Sequence, residues 1–166
     1  MGYSVTLQES SAVLPKESQD EAYARLCELN THDEWKRGGS WKEGKQEEVW
    51  FSWMPADYPN EMKTVKEILE YIGYSTDVTE DNDLHILEYD SKTGCEDIFI
   101  WYISDLFRKS YMEWETEDGL RYVWTFGDGK KLEVSEQEPP VFGPALPFVP
   151  TNYNKMRELI RGSIPL

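Results

Sequence analysis

Between positions 35 and 45 the chain sets Lys36, Arg37, Lys42 and Lys45 around Gly38, Gly39 and Ser40, with Trp35 and Trp41 beside them and Trp50 shortly after. Cationic side chains and glycine amides can hold a phosphate, and indoles can stack a base, so this stretch is the candidate for capturing a nucleotide-like ligand. Five acidic residues share the segment 31–48, and the order G-x-x-x-x-G-K-[ST] of a phosphate loop is missing; S-K-T-G at Ser91 to Gly94 matches only its end. Carboxylates form a second group. Glu113 and Glu115 stand two apart, which on a strand puts both on one face about 6.8 Å apart, and Glu117 and Asp118 follow at once. Such a pair can share acid and base work, but in a chain with 32 acidic residues it arises by abundance alone. Asp77, Glu80, Asp81 and Asp83 can surround a cation, yet they lack the EF-hand order. His32 and His85 are the histidines, the residue type that titrates near neutrality unaided. No nucleophile elbow or zinc-ligand spacing is present. The sequence therefore assigns no catalytic residue, no metal and no cofactor, and points to binding rather than catalysis.

The elements that must position these groups are legible in part. Residues 3–8 alternate as a strand, and 49–54, V-W-F-S-W-M, carry apolar side chains on both faces, as in a strand interior to a sheet. Residues 84–89 read as a central strand, 90–92 as a turn, and 94–107 as a helix apolar on most sides, with Trp101 in its core. Three helix starts show a Ser or Thr followed three residues on by Glu: Ser18 with Glu21, Thr64 with Glu67, and Thr93 with Glu96. Gly73 closes the second helix. Residues 74–79 and 84–89 form a hairpin, and three further strands make a meander around E-D-G and G-D-G. Segment 31–48, without hydrophobic period, is expected to be a long surface loop. The fold class is α+β: a predominantly antiparallel sheet of about six or seven strands with three helices packed on it, plus a C-terminal proline-rich arm and short helix. Residues 1–137 form one domain and 138–166 the arm.

The formal net charge of -15 coexists with 14% aromatic residues, and acidic chains that stay unfolded are poor in aromatics. The charge is uneven. Between Asp77 and Asp118 thirteen acidic residues stand against Lys92, Arg108 and Lys109, which implies an acidic face that repels nucleic acid and attracts basic proteins or cations. No apolar run approaches a membrane span, no signal-type leader opens the chain, and the two cysteines, Cys27 and Cys95, fall in predicted helices. A cytoplasmic protein with reduced thiols is the expectation.

Four phrases, K-R-G-G-S-W at Lys36 to Trp41, W-F-S-W-M at Trp50 to Met54, Y-D-S-K-T-G-C-E at Tyr89 to Glu96 and E-D-G-L-R-Y-V-W-T-F at Glu117 to Phe126, resemble a group of small acidic proteins of actinobacteria and their phages. The resemblance covers residues 3–134. It implies a genomic setting, not an activity, and carries over no catalytic residue. Six prolines follow Glu138, with Phe142 and Phe148 among them and Tyr153, Met156 and Ile160 on one side of a short terminal helix. These five are the candidate contacts of a partner-binding tail, which docks on its own domain or joins a second copy. The function expected is that of a noncatalytic acidic protein engaging a basic protein partner, itself a nucleic-acid-binding or defence-related protein. The alternative is capture of a nucleotide-like ligand, or an enzyme, built on Trp35, Lys36, Arg37, Trp41 and Trp50.

Overall fold

The structure, a computed structural model, describes residues 3–137. In chain order these form β1 (Ser4–Ser10), β2 (Val13–Leu14), α1 (Gln19–Leu29), β3 (Gly38–Lys42), β4 (Lys45–Trp50), α2 (Tyr58–Glu61), α3 (Val65–Ile72), β5 (Ser75–Val78), β6 (Leu84–Glu88), β7 (Asp90–Lys92), α4 (Glu96–Ile103), β8 (Ser110–Thr116), β9 (Arg121–Gly127) and β10 (Lys130–Gln137). The fold is α+β, and every strand pairing is antiparallel.

Alternation in the meander decides which way the main sheet faces. Met112, Trp114 and Thr116 of β8 and Tyr122, Trp124 and Phe126 of β9 point inward and are buried, so the residues between them point out. The sheet runs β10-β9-β8-β1-β7, with Leu7 opposite Trp114 and Thr6 opposite Glu115. On its inner side lies α4, whose Ile98, Phe99, Ile100, Trp101 and Ile103 are all buried, as an all-round apolar helix requires. Helices α1 and α3 complete the layer, burying Ala22, Leu26 and Leu29, and Val65, Ile68, Leu69 and Ile72.

Several local expectations give way. The strand at 84–89 is not the centre of the main sheet: β6 lies between β2 and β5 in a three-stranded sheet, and Leu87 and Glu88 are exposed, so it buries one face only. The predicted turn at 90–92 is β7, an edge strand on β1. The predicted loop 31–48 is ordered. Asp33–Trp35 make a 3-10 turn, and β3 and β4 form a hairpin whose two-residue loop, Glu43 and Gly44, has φ of 52° and 79°. Positive φ at both positions is the turn that matches strand twist. The stretch 49–54 is not an interior strand, because β4 ends at Trp50 and the chain turns, the Met54 amide donating to the Phe51 carbonyl at 2.9 Å. This turn sends Phe51 and Met54 into the core, Phe51 edge-on to Phe99 at 5.1 Å, and leaves Trp53 59% exposed at φ 70°.

The helix starts also sort themselves. Thr64 caps α3 as expected, its hydroxyl accepting the Glu67 amide at 3.1 Å, while the Glu67 carboxylate turns to the Lys63 amide at 3.0 Å. Ser18 makes no side-chain cap, because a 3-10 turn at Lys16–Ser18 leads into α1. Thr93 caps nothing: its amide donates to the Tyr3 carbonyl at 2.7 Å, and Cys95 stands at the start of α4.

Candidate functional site

The outward side of the main sheet holds one of the acidic groups that the sequence singled out, while Asp77, Glu80, Asp81 and Asp83 lie on the separate β5–β6 hairpin. Glu113 and Glu115 share the outer face of β8, and Glu9 of β1 lies directly opposite Glu113. Like charges in that position repel. Arg121 answers Glu115 at 3.7 Å, the Tyr111 hydroxyl donates to Glu9 at 2.7 Å, and the Thr6 hydroxyl donates to Asp90 at 3.1 Å. Glu133 of β10 faces the same way. Glu117 and Asp118 stand in the turn after β8, where Tyr3 donates to Asp118 at 2.5 Å; burial and that carboxylate push the Tyr3 phenol up to about 12. Not every carboxylate of the acidic segment reaches the surface. Asp83 takes the Lys16 amide at 2.9 Å and Arg108 at 2.6 Å, and Asp105 is clamped by Arg25 and Lys131.

The basic and aromatic residues of 35–50 fall into separate places. Lys36 donates to the Asn30 carbonyl at 2.6 Å and to Asp33 at 2.7 Å, an internal tie with its ammonium 5.7 Å from the Phe51 ring. The Trp50 indole lies over Gly38, where a Cβ would meet it at 2.2 Å, so this glycine makes room for a ring and not for a phosphate. Trp41, near the hairpin tip, is 68% exposed, and Arg37 acts electrostatically on Asp97. Lys36 and Gly38 are thus engaged within the domain, while Lys42 and Lys45 stand opposite one another at the hairpin tip, next to Trp41.

Trp35 lines a cavity, and its companions there come from elsewhere. The cavity, about 450 Å³, is bounded by α1, the 33–35 turn, α4 and β10. The His32 and Trp35 rings stack at 4.1 Å, and Tyr102 meets them edge-on at 6.1 and 6.3 Å. Lys131 sits 4.9 Å from the Trp101 ring centre and 5.5 Å from that of Tyr102. Arg25, Glu28 and His32 recur at three- and four-residue spacing along α1 and just past its end, a stripe visible in the sequence; Tyr102 and Lys131 join through tertiary packing alone.

A second group missed by sequence reading is buried. Glu96 and Asp97, 1% and 4% exposed, open α4. Glu96 accepts the Gly94 amide at 2.6 Å and Asp97 accepts the Ile98 amide at 2.7 Å, and among the described residues no lysine or arginine is bonded to either. Burial drives both carboxyls up, Asp97 to about 6 and Glu96 to about 8, and the two act on one another. Trp53 closes over this end of the helix, since a Cβ on Gly94 would meet its ring at 2.3 Å. Burial in this way favours the protonated form of both carboxyl groups. The Tyr74 hydroxyl donates to the Glu96 carbonyl at 2.8 Å, beside a cluster of Tyr74, Tyr89 and Trp114.

Among the described residues no three metal-ligating side chains come together, and no helix is long and apolar enough to cross a membrane. Phe142, Phe148, Tyr153, Met156 and Ile160 lie outside the described residues. No family model, no curated protein and no solved structure matches the chain.

Proposed function

We propose that the protein is a noncatalytic binding protein that presents the outer face of its five-stranded sheet to a basic protein partner. The observation that carries this reading is the placement of Glu9, Glu113 and Glu115 on adjoining strands, with like charges directly opposite and, among the described residues, Arg121 the one cation bonded to them. Such an arrangement costs free energy in the unbound protein and is relieved by a cation brought from outside. In the setting that the resemblance implies, the partner is a nucleic-acid-binding protein of phage or host, its basic groove filled by these carboxylates. The net charge of -15 argues against direct binding to nucleic acid.

Polylysine serves as the probe. Its binding, followed by calorimetry across a salt series, should weaken steeply with salt and fall by about tenfold or more in the Glu9→Lys/Glu113→Lys double variant. Reversal at Glu80 and Asp81, on a turn remote in sequence from β1 and β8, supplies the comparison. Equal loss from both pairs of reversals would reduce the sheet face to a share of the general charge and sink the reading.

A further inference from the structure

We propose that the cavity between α1, the 33–35 turn, α4 and β10 receives a guanidinium group, an arginine side chain of the basic partner. The inference rests on the reading above and adds a second, separate contact to it.

The charges around the cavity divide into those already answered and those left over. Arg25 is committed to Asp105 through two bonds from one nitrogen, at 2.7 and 2.8 Å, and to Glu21 at 2.9 Å. Lys131 is committed to the same Asp105 at 2.9 Å and to the Tyr102 carbonyl at 2.7 Å. Two cations thus meet two carboxylates and cancel. Glu28 and Glu34 remain: Glu28 takes the Tyr102 hydroxyl at 3.3 Å and Glu34 the His32 ring at 2.9 Å, and among the described residues neither is paired with a lysine or arginine. The hydrogen bond from His32 holds the Glu34 carboxyl below the usual range, so it is ionised at neutral pH.

An anion entering here would face Glu28 and Glu34 and would have to pull Arg25 or Lys131 from Asp105. A cation meets the opposite situation, with two carboxylates and several aromatic rings around it. The chain already uses this chemistry once, holding the Lys131 ammonium over Trp101 and Tyr102. A flat guanidinium suits the site better than a second ammonium, because it can stack on the Trp35 or Tyr102 ring while its edge donates to the carboxylates. The cavity is also large enough for a side chain with its methylene stem. Strand β10 joins the two surfaces: Lys131 lines the cavity, while Glu133 faces outward on the sheet. One basic segment passing over this edge can touch both.

N-acetyl-arginine amide, N-acetyl-lysine amide and adenosine monophosphate are titrated into the full chain, with NMR signals of the Trp35 indole and the Tyr102 ring as readout. The arginine amide is expected to saturate and to shift both signals. The Glu28→Gln/Glu34→Gln double variant, substitutions of surface carboxylates whose folding is checked by melting, should weaken it by about tenfold. Saturation by adenosine monophosphate in place of the arginine amide would overturn the assignment, as would arginine binding unchanged in the double variant. A protein that saturates with arginine amide but does not bind polylysine would sink the sheet-face reading and leave this one standing.

Discussion

Glu96 shows how far a single residue can depart from its sequence signature. The spacing from Thr93 reads as a capping box, but Tyr3, distant in sequence, takes the Thr93 amide and moves the helix start to Cys95. Glu96 is then drawn under Trp53 into the core. Its linkage to pH has a definite sign. The folded carboxyl of Glu96, at about 8, lies above its ordinary value of 4.5, and Asp97 likewise lies above its own, so the folded state favours protons that the unfolded state has already released. Their contribution is fully present below the unfolded values and is lost as pH rises through about 6 and about 8. Glu96→Gln should therefore flatten the fall in stability between pH 5 and 8, measured by urea unfolding. A variant that keeps the wild-type slope would place the linked proton elsewhere. Trp101, by contrast, was legible, because a helix apolar on every side has nowhere to put an indole but the core.

At the scale of elements, what the sequence revealed depended on whether an element has a buried face. The meander β8–β10 alternates because one side meets α4, and its strands stand where the pattern puts them. The β3–β4 hairpin has no such side. Residues from Trp41 to Glu48 are all exposed, so no hydrophobic period marks it and it reads as a loop. The turn residues Glu43 and Gly44 were the available clue. Among its close contacts is Trp50 over Gly38, at a position whose backbone any residue can adopt. Gly38→Val is expected to expel the ring, shift indole emission to the red and cost about 1–3 kcal/mol in thermal unfolding. Emission and melting both unchanged would mean that Trp50 does not rest there.

For the whole molecule, class was easier to read than connection. Helix and strand patterns give α+β, yet no local signal says that β1 belongs between β7 and β8, or that β6 belongs to a separate sheet. The acidic face was legible only in outline, because burial of Glu96 and Asp97 and the pairing of Asp83 and Asp105 are settled by packing. A chain with a net charge of -15 repels itself. Raising sodium chloride from low to physiological concentration should lift the melting temperature by about 2–4 °C for each kcal/mol of repulsion relieved. A fall instead would show that ion pairs such as Arg108 with Asp83 outweigh the repulsion. The position of β1 also governs how the protein emerges from the ribosome. Tyr111, which bonds Glu9, lies 102 positions further on, so β1 has both edges bare until β7 and then β8 are made. Synthesis therefore outruns closure of the sheet. Val5 and Leu7 wait uncovered in the nascent chain, where an early strand with no partner is the natural client of a chaperone.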